Sequence, residues 1–216
     1  MLEPTMQPQP TKTIRLLVAD DHPIVRQGLV AILNAQPDMT VVAEANNGRE
    51  VIEQFRQYQP DVAILDLQMP EVGGVEAITA IRAEFPHASI IMFSIYETDE
   101  DIYQGLRAGA KAYLLKDTPC AEILEVIRAV SEGQRYVSAE IGTRLIARME
   151  RPDLSPREFE VLSLMAKGKN NKAIASELNV TENTVKFHVT NVMIKLGASD
   201  RTHAVVNALQ QGIIKL

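Results

Sequence analysis

The chain has 216 residues, 46% of them apolar; this excludes a disordered chain and suits one large domain or two small ones. Its one cysteine, Cys120, excludes an internal disulfide framework and fits a reducing cytoplasm, while no apolar run approaches the ~20 residues of a membrane helix. The net charge of −6 is unevenly spread: residues 1–151 hold 14 Lys/Arg against 22 Asp/Glu and residues 152–216 hold 8 against 6, so acidity argues against nucleic-acid binding only for the first part.

In chain order, "MLEPTMQPQPTKT" (1–13) is Pro- and Gln-rich, lacks the apolar stretch of a signal peptide, and reads as a flexible tail. Five apolar strands follow, at Ile14–Ala19, Thr40–Ala45, Asp61–Leu65, Ser89–Phe93 and Ala112–Leu115. Amphipathic segments alternate with them at 24–35, 48–58, 74–84, 98–108 and 120–132. Such alternation predicts a parallel sheet covered by helices on both faces, with the working site at the carboxyl ends of the strands. Residues 134–153 break the pattern and read as a linker with room for one short helix. Four helical segments complete the chain, at 156–167, 171–178, 182–196 and 201–212. Ser155, Pro156 and Glu158 form a helix-start signature, Gly168 and Gly197 sit where helices end, and Asn179 marks a tight turn between the middle two. The second part is therefore a four-helix unit containing a helix-turn-helix.

Three carboxylates fall at strand ends: Asp20 and Asp21 in "VADDHP" and Asp66 in "ILDLQMP". Like charges gathered at the end of an apolar sheet repel each other and resist desolvation. A hard cation such as Mg²⁺, which takes oxygen ligands from one or two carboxylates and a phosphate, offsets that cost. One acid is then free to act as nucleophile toward a phosphoryl group, with Lys116 and Ser94 to neutralise and hydrogen-bond its oxygens. Cys120 reads as a small apolar filler, since nothing basic adjoins it.

"VADDHP", "ILDLQMP", "MFSIY" and "AYLLKD" together resemble, in order and spacing, the receiver domain of bacterial two-component response regulators. The resemblance implies a flavodoxin-like fold with Asp66 as phosphoacceptor. It implies Mg²⁺ held by Asp20, Asp21, Asp66 and the Gln68 backbone carbonyl. Ser94 and Lys116 would read the phosphoryl group, Tyr113 would be the aromatic switch, and a sensor histidine kinase would be the donor. Gln68 and Tyr96, each two residues beyond a site residue, are expected to tune the phosphate lifetime.

On a helical wheel of "TENTVKFHVTNVMIKLG", Val185, His188, Val189, Val192 and Leu196 face inward. His188 is expected to be a satisfied core histidine. Asn183, Phe187, Thr190 and Ile194 point outward, with Lys186 on one flank and Asn191 and Lys195 on the other. An exposed Phe187 suits contact with thymine methyl groups in a major groove, or else packs against the preceding helix. The segment from Leu154, "LSPREFEVL…NKAIA…TVKFHV…KLGASDRTHAV", resembles the LuxR/NarL-type DNA-binding domain. That resemblance implies base reading by Lys186, Phe187 and Thr190; many members carry a basic residue at the Thr190 position. Asn183, Lys172 and Lys195 are expected phosphate contacts. A dimer contact on the last helix is expected through Ala204, Val205, Ala208 and Leu209, with half-sites about one helical turn apart.

The expectation is thus an α/β, flavodoxin-like five-stranded parallel-sheet receiver at 14–133, a linker at 134–153, and a smaller all-α helix-turn-helix domain at 154–216. It would be a cytoplasmic, phosphorylation-switched regulator binding double-stranded DNA as a homodimer, with RNA polymerase a further candidate partner and no membrane contact. It would not be an enzyme beyond autophosphatase behaviour. The main alternative is a DNA binder indifferent to phosphorylation, with a relic receiver. An aspartyl-phosphate phosphatase needs a second acid two residues after the nucleophile, where Gln68 stands. A nucleotide-binding enzyme needs a glycine-rich phosphate loop that this sequence lacks.

Overall fold

The computed structural model describes residues 13–95 and 98–214; the expected tail and Tyr96 lie outside them. The described residues form two units, one of 13–95 with Gln104–Ala139 and one of Thr98–Tyr103 with the residues from Glu140 onward.

In the first unit β1 (Ile14–Ala19), β2 (Met39–Ala45), β3 (Val62–Leu65), β4 (Ile90–Ser94) and β5 (Ala112–Leu115) alternate with α1 (Pro23–Asn34), α2 (Gly48–Tyr58), α3 (Gly74–Glu84), α4 (Asp99–Ala108) and α5 (Cys120–Ser131); the first half of α4 is counted with the second unit. The sheet runs β2-β1-β3-β4-β5 with every pairing parallel. Short all-apolar strands are what a sheet buried on both faces requires. Leu16, Val18, Ile64, Ile91 and Phe93 pack with Leu29 and Leu33 of α1 and Ile123, Val126 and Ile127 of α5. Alternate residues Leu17, Leu65, Ile90 and Met92 are equally buried and point to the opposite face.

The chain leaves β1 for β2 on one side and returns to β3 on the other, so the topological switch point lies at the carboxyl ends of β1 and β3. Register then places the site. Ala19 pairs with Leu65, and the Asp66 N–H donates to the Ala19 carbonyl at 2.9 Å, which brings Asp66 beside Asp20. Ser94 pairs with Leu115, and the Lys116 N–H donates to the Ser94 carbonyl at 3.0 Å. Gly74, the first residue of α3, lies so close to the Asp66 peptide that an added Cβ would come within 2.3 Å of its carbonyl oxygen; only glycine lets this helix start against the loop that follows β3.

The first unit's packing reaches past the expected boundary at 133. Tyr136 bridges to Ala112, packs on the β1–α5 core and donates its hydroxyl to Glu122 at 2.7 Å. The segment expected as a linker carries an eleven-residue helix, α6 (Ala139–Met149), with Ile141 and Arg148 buried. Cys120 is exposed at the start of α5, not the buried filler its apolar character suggested: it is the first residue of the helix.

The second unit continues with α7 (Pro156–Ala166), α8 (Asn171–Glu177), α9 (Glu182–Lys195) and α10 (Arg201–Gln210). Each has a side-chain cap: Ser155 with Glu158 in a reciprocal capping box, Asn170, Thr181 and Asp200. Asn179, in the turn between α8 and α9, is left-handed at φ 55°, which asparagine tolerates better than most residues. The core joins Val161, Leu162 and Met165 to Ile174, Val185, Val189, Val192, Ala204 and Ala208. No described helix is long and apolar enough to cross a membrane.

Candidate functional site

Asp20 and Asp66 are buried and Asp21 half-buried at the carboxyl edge of β1 and β3. Lys116 Nζ bridges the first two, 2.6 Å from Asp20 Oδ2 and 2.7 Å from Asp66 Oδ2. The remaining oxygens take backbone donors: Asp66 Oδ1 accepts from the Leu67 N–H at 2.6 Å and Asp20 Oδ1 from the His22 N–H at 2.8 Å. Burial pushes the Asp66 carboxyl above the usual carboxylate range, against the pull of Lys116. Burial would lower Lys116, but the two carboxylates more than reverse this and hold its ammonium above the usual lysine value. The ammonium is therefore a fixed positive charge between Asp20 and Asp66.

Among the described residues a buried oxygen of Asp21, Oδ1, has no hydrogen-bond donor. His22 Nδ1 stands 2.7 Å from it without the alignment of a hydrogen bond. Asp20, Asp21, His22 and Asp66 each offer a donor atom, all within 4.8 Å of one another. An orphaned carboxylate oxygen inside a ring of acids is what a bound cation would satisfy, so the residues present fit a metal. Gly74 takes the Leu67 carbonyl at 2.8 Å, and among the described residues no hydrogen bond reaches the carbonyl of Gln68. Ser94 and Tyr113 are both fully buried. The Tyr113 ring lies under α4 at Gly105, where an added Cβ would come within 3.4 Å of it.

On α9 the outward residues are as the wheel predicts. Phe187 is 62% exposed and Ile194 73%, and Asn183, Lys186 and Thr190 are exposed beside them, as is Lys172 on α8. The Phe187 ring stands edge-on to His188, centroids 5.6 Å apart, and stays mostly exposed.

Residues 16–128 match the family described as response regulator receiver domain, and residues 152–208 the bacterial regulatory proteins of the luxR family. The chain is 39% identical over 209 residues to the transcriptional regulatory protein LiaR of Bacillus subtilis, covering 93% of this chain and 99% of that one. Among solved structures it is similar to the response regulator ChrA of a heme-sensing two-component system, at 37% identity and TM-score 0.56 over 94% of this chain and 99% of that one. It is also similar to the response regulator RcsB in complex with DNA, at 27% identity and TM-score 0.67 over 92% and 99%.

The chain belongs to the response-regulator family. It is a transcriptional response regulator, a receiver joined to a luxR-type DNA-binding domain, and the acid pocket is the receiver's.

For this response regulator three expectations need correction. Ala204 and Ala208 are fully buried in their own domain's core, and Val205 and Leu209 pack against it. The apolar spacing on α10 marks its inward face, so Ala204 and Ala208 are not open to a second copy, while Val205 and Leu209 stay partly exposed; Val206, at 42% exposure, lies on the outer face. Lys195 is not free to meet a phosphate, because its ammonium binds Glu158 at 2.6 Å and the Asp153 carbonyl at 2.9 Å. His188 is half-buried, and its Nδ1 is buried without a hydrogen-bond partner.

Two contributors were not singled out from the sequence. His22 was adjacent to the acids in "DDHP", and that adjacency was the available signal. Arg26, one turn into α1, donates to the Asp20 carbonyl at 2.6 Å and so steadies the acid loop; nothing in the sequence marks it.

Glu158 is the buried tie of the DNA-binding domain. Burial alone would raise its carboxyl, but the Lys195 ammonium and the Ser155 donors outweigh it and hold the value below the usual range. A depressed carboxyl contributes stability above its unfolded value near 4.3, lost as pH falls through the folded one. Glu158→Gln is expected to cost about 1–3 kcal/mol at pH 7 and to flatten the loss of stability below about pH 4.3, measured by calorimetric melts of the full chain. A variant as stable as wild type at pH 7 would remove Glu158 as the tie.

Proposed function

We propose that Asp66 accepts a phosphoryl group from the phosphohistidine of a sensor kinase and that this switches promoter binding. One Asp66 oxygen forms the new bond to phosphorus as the P–N bond breaks; the electron pair returns to the imidazole, which leaves protonated. Lys116 lies where it would neutralise the transferred oxygens, and Ser94 would donate its hydroxyl to them. Mg²⁺, held by Asp20, Asp21, Asp66 and the Gln68 carbonyl, would supply positive charge to the same oxygens. The added charge of about −1.5 to −2 at neutral pH biases the receiver toward a second state in which Ser94 and Tyr113 reposition the face around β4 and α4. Hydrolysis of the acyl phosphate is the most catalysis this chain performs, and its working compartment is the cytoplasm.

DNA is met by α9, with Lys186, Phe187 and Thr190 at base edges and Asn183 and Lys172 at phosphates. A homodimer on a two-fold site would then set half-sites about 34–36 Å apart. The observation that carries this reading is one Lys116 ammonium shared by two buried carboxylates, beside a third whose oxygen has no donor.

The test is intact mass after incubation with acetyl phosphate and Mg²⁺, with DNA binding measured on the same sample. One adduct and at least ten-fold tighter DNA binding are expected. An adduct with unchanged DNA binding would instead favour a regulator indifferent to phosphorylation.

A further inference from the structure

The residues on the outward stripe of α9 carry information about which base pairs it reads. This rests on the reading of α9 as the helix that enters the major groove. Phe187 and Ile194 are the large exposed apolar side chains there, seven residues apart and so about 10 Å along the axis, the span of about three base pairs. Thr190 lies between them, and its hydroxyl is already given to the Lys186 carbonyl at 3.0 Å. Its methyl, and its oxygen as an acceptor only, are left for a base edge. Asn191 flanks the stripe, and among the described residues its amide has no hydrogen-bond partner.

Guanine is read most often by the two acceptors O6 and N7 receiving from arginine or lysine. α9 contains no arginine. Of its two lysines, Lys195 is held by Glu158 and Asp153, and Lys186 stands 3.4 Å from Glu182. Apolar groups match the thymine methyl, and a free asparagine amide matches adenine N6 and N7. We infer that α9 reads an A·T-rich half-site, with Phe187, the Thr190 methyl and Ile194 against thymine methyls and Asn191 against an adenine edge. Both residue classes on the stripe select the same base pair, and Lys186, in an exposed i,i+4 pair with Glu182, is the one basic group left on α9 for a G·C pair.

The experiment enriches duplexes from a randomised library with the full-length chain in acetyl phosphate and Mg²⁺, then replaces thymidine by deoxyuridine in the enriched duplex. Uracil lacks only the methyl group, so hydrogen bonding to the base is unchanged. A·T-rich half-sites are expected, with binding weakened about four-fold for each contacted methyl removed. Phe187→Ala, at an exposed position, should keep the wild-type melting temperature and lose most of the difference between the two duplexes. Enriched half-sites rich in G·C, or affinity indifferent to deoxyuridine, would overturn the inference and leave DNA binding standing. Failure to enrich any duplex would overturn the DNA-binding reading and this inference with it.

Discussion

Asp66→Asn is expected to give a folded protein with no phosphoryl adduct. The amide has the shape of the carboxylate but not its nucleophilic oxygen, and the neighbouring acids are poor substitutes. Both Asp20 oxygens are occupied, one by the His22 N–H and the other by Lys116, and Asp21 lies off the β3 edge. The fold should not suffer. Burial raises the Asp66 carboxyl above its ordinary value, so the folded chain binds more protons there than the unfolded one. Stability from this group is therefore greatest below the unfolded value near 3.9 and is lost as pH rises through the folded one. At pH 7 the ionised carboxylate is a net cost, which the amide removes. Lys116 keeps Asp20 as its partner, so no buried cation is stranded. The variant should thus melt no lower than wild type near neutrality. Intact mass with peptide mapping checks the first half and thermal melts at several pH values the second. An adduct persisting on the variant would move the acceptor to another acid and sink the assignment of Asp66.

The sequence made the receiver legible because its information is local. A short apolar run ending in a charged residue states both the strand and the strand end, and Ile14–Ala19 and Ala112–Leu115 coincide with β1 and β5. Parallel pairing then converts strand ends into a shared edge, so Asp20, Asp66 and Lys116 meet without any further signal. What was not legible depends on which partner a side chain chooses across space. Lys195 looks free in the sequence because Glu158 is 37 residues away, yet the two meet at 2.6 Å. Arg26 acts through a backbone carbonyl, which no residue pattern records. Helical spacing identified an apolar stripe on α10 correctly but could not say whether it faces the chain's own core or a second copy.

That distinction yields the other large effect. Ala204→Asp is expected to unfold the helix-turn-helix domain rather than split a dimer. Ala204 is fully buried among the apolar residues that hold α7, α9 and α10 together. Burying an unpaired charge costs about 4 kcal/mol or more, against a net stability for a domain this small of about 5 kcal/mol. DNA binding should vanish and the domain's calorimetric transition with it, while phosphorylation of Asp66 continues on the separate receiver core. Val206→Asp, two residues along and on the exposed face, should change stability by less than about 0.5 kcal/mol. If this outer face joins two copies, Val206→Asp would instead weaken dimer formation in analytical ultracentrifugation. The opposite pattern, with Ala204→Asp folded and monomeric, would mean that α10 turns its small apolar face outward, and the domain core assigned here would be wrong.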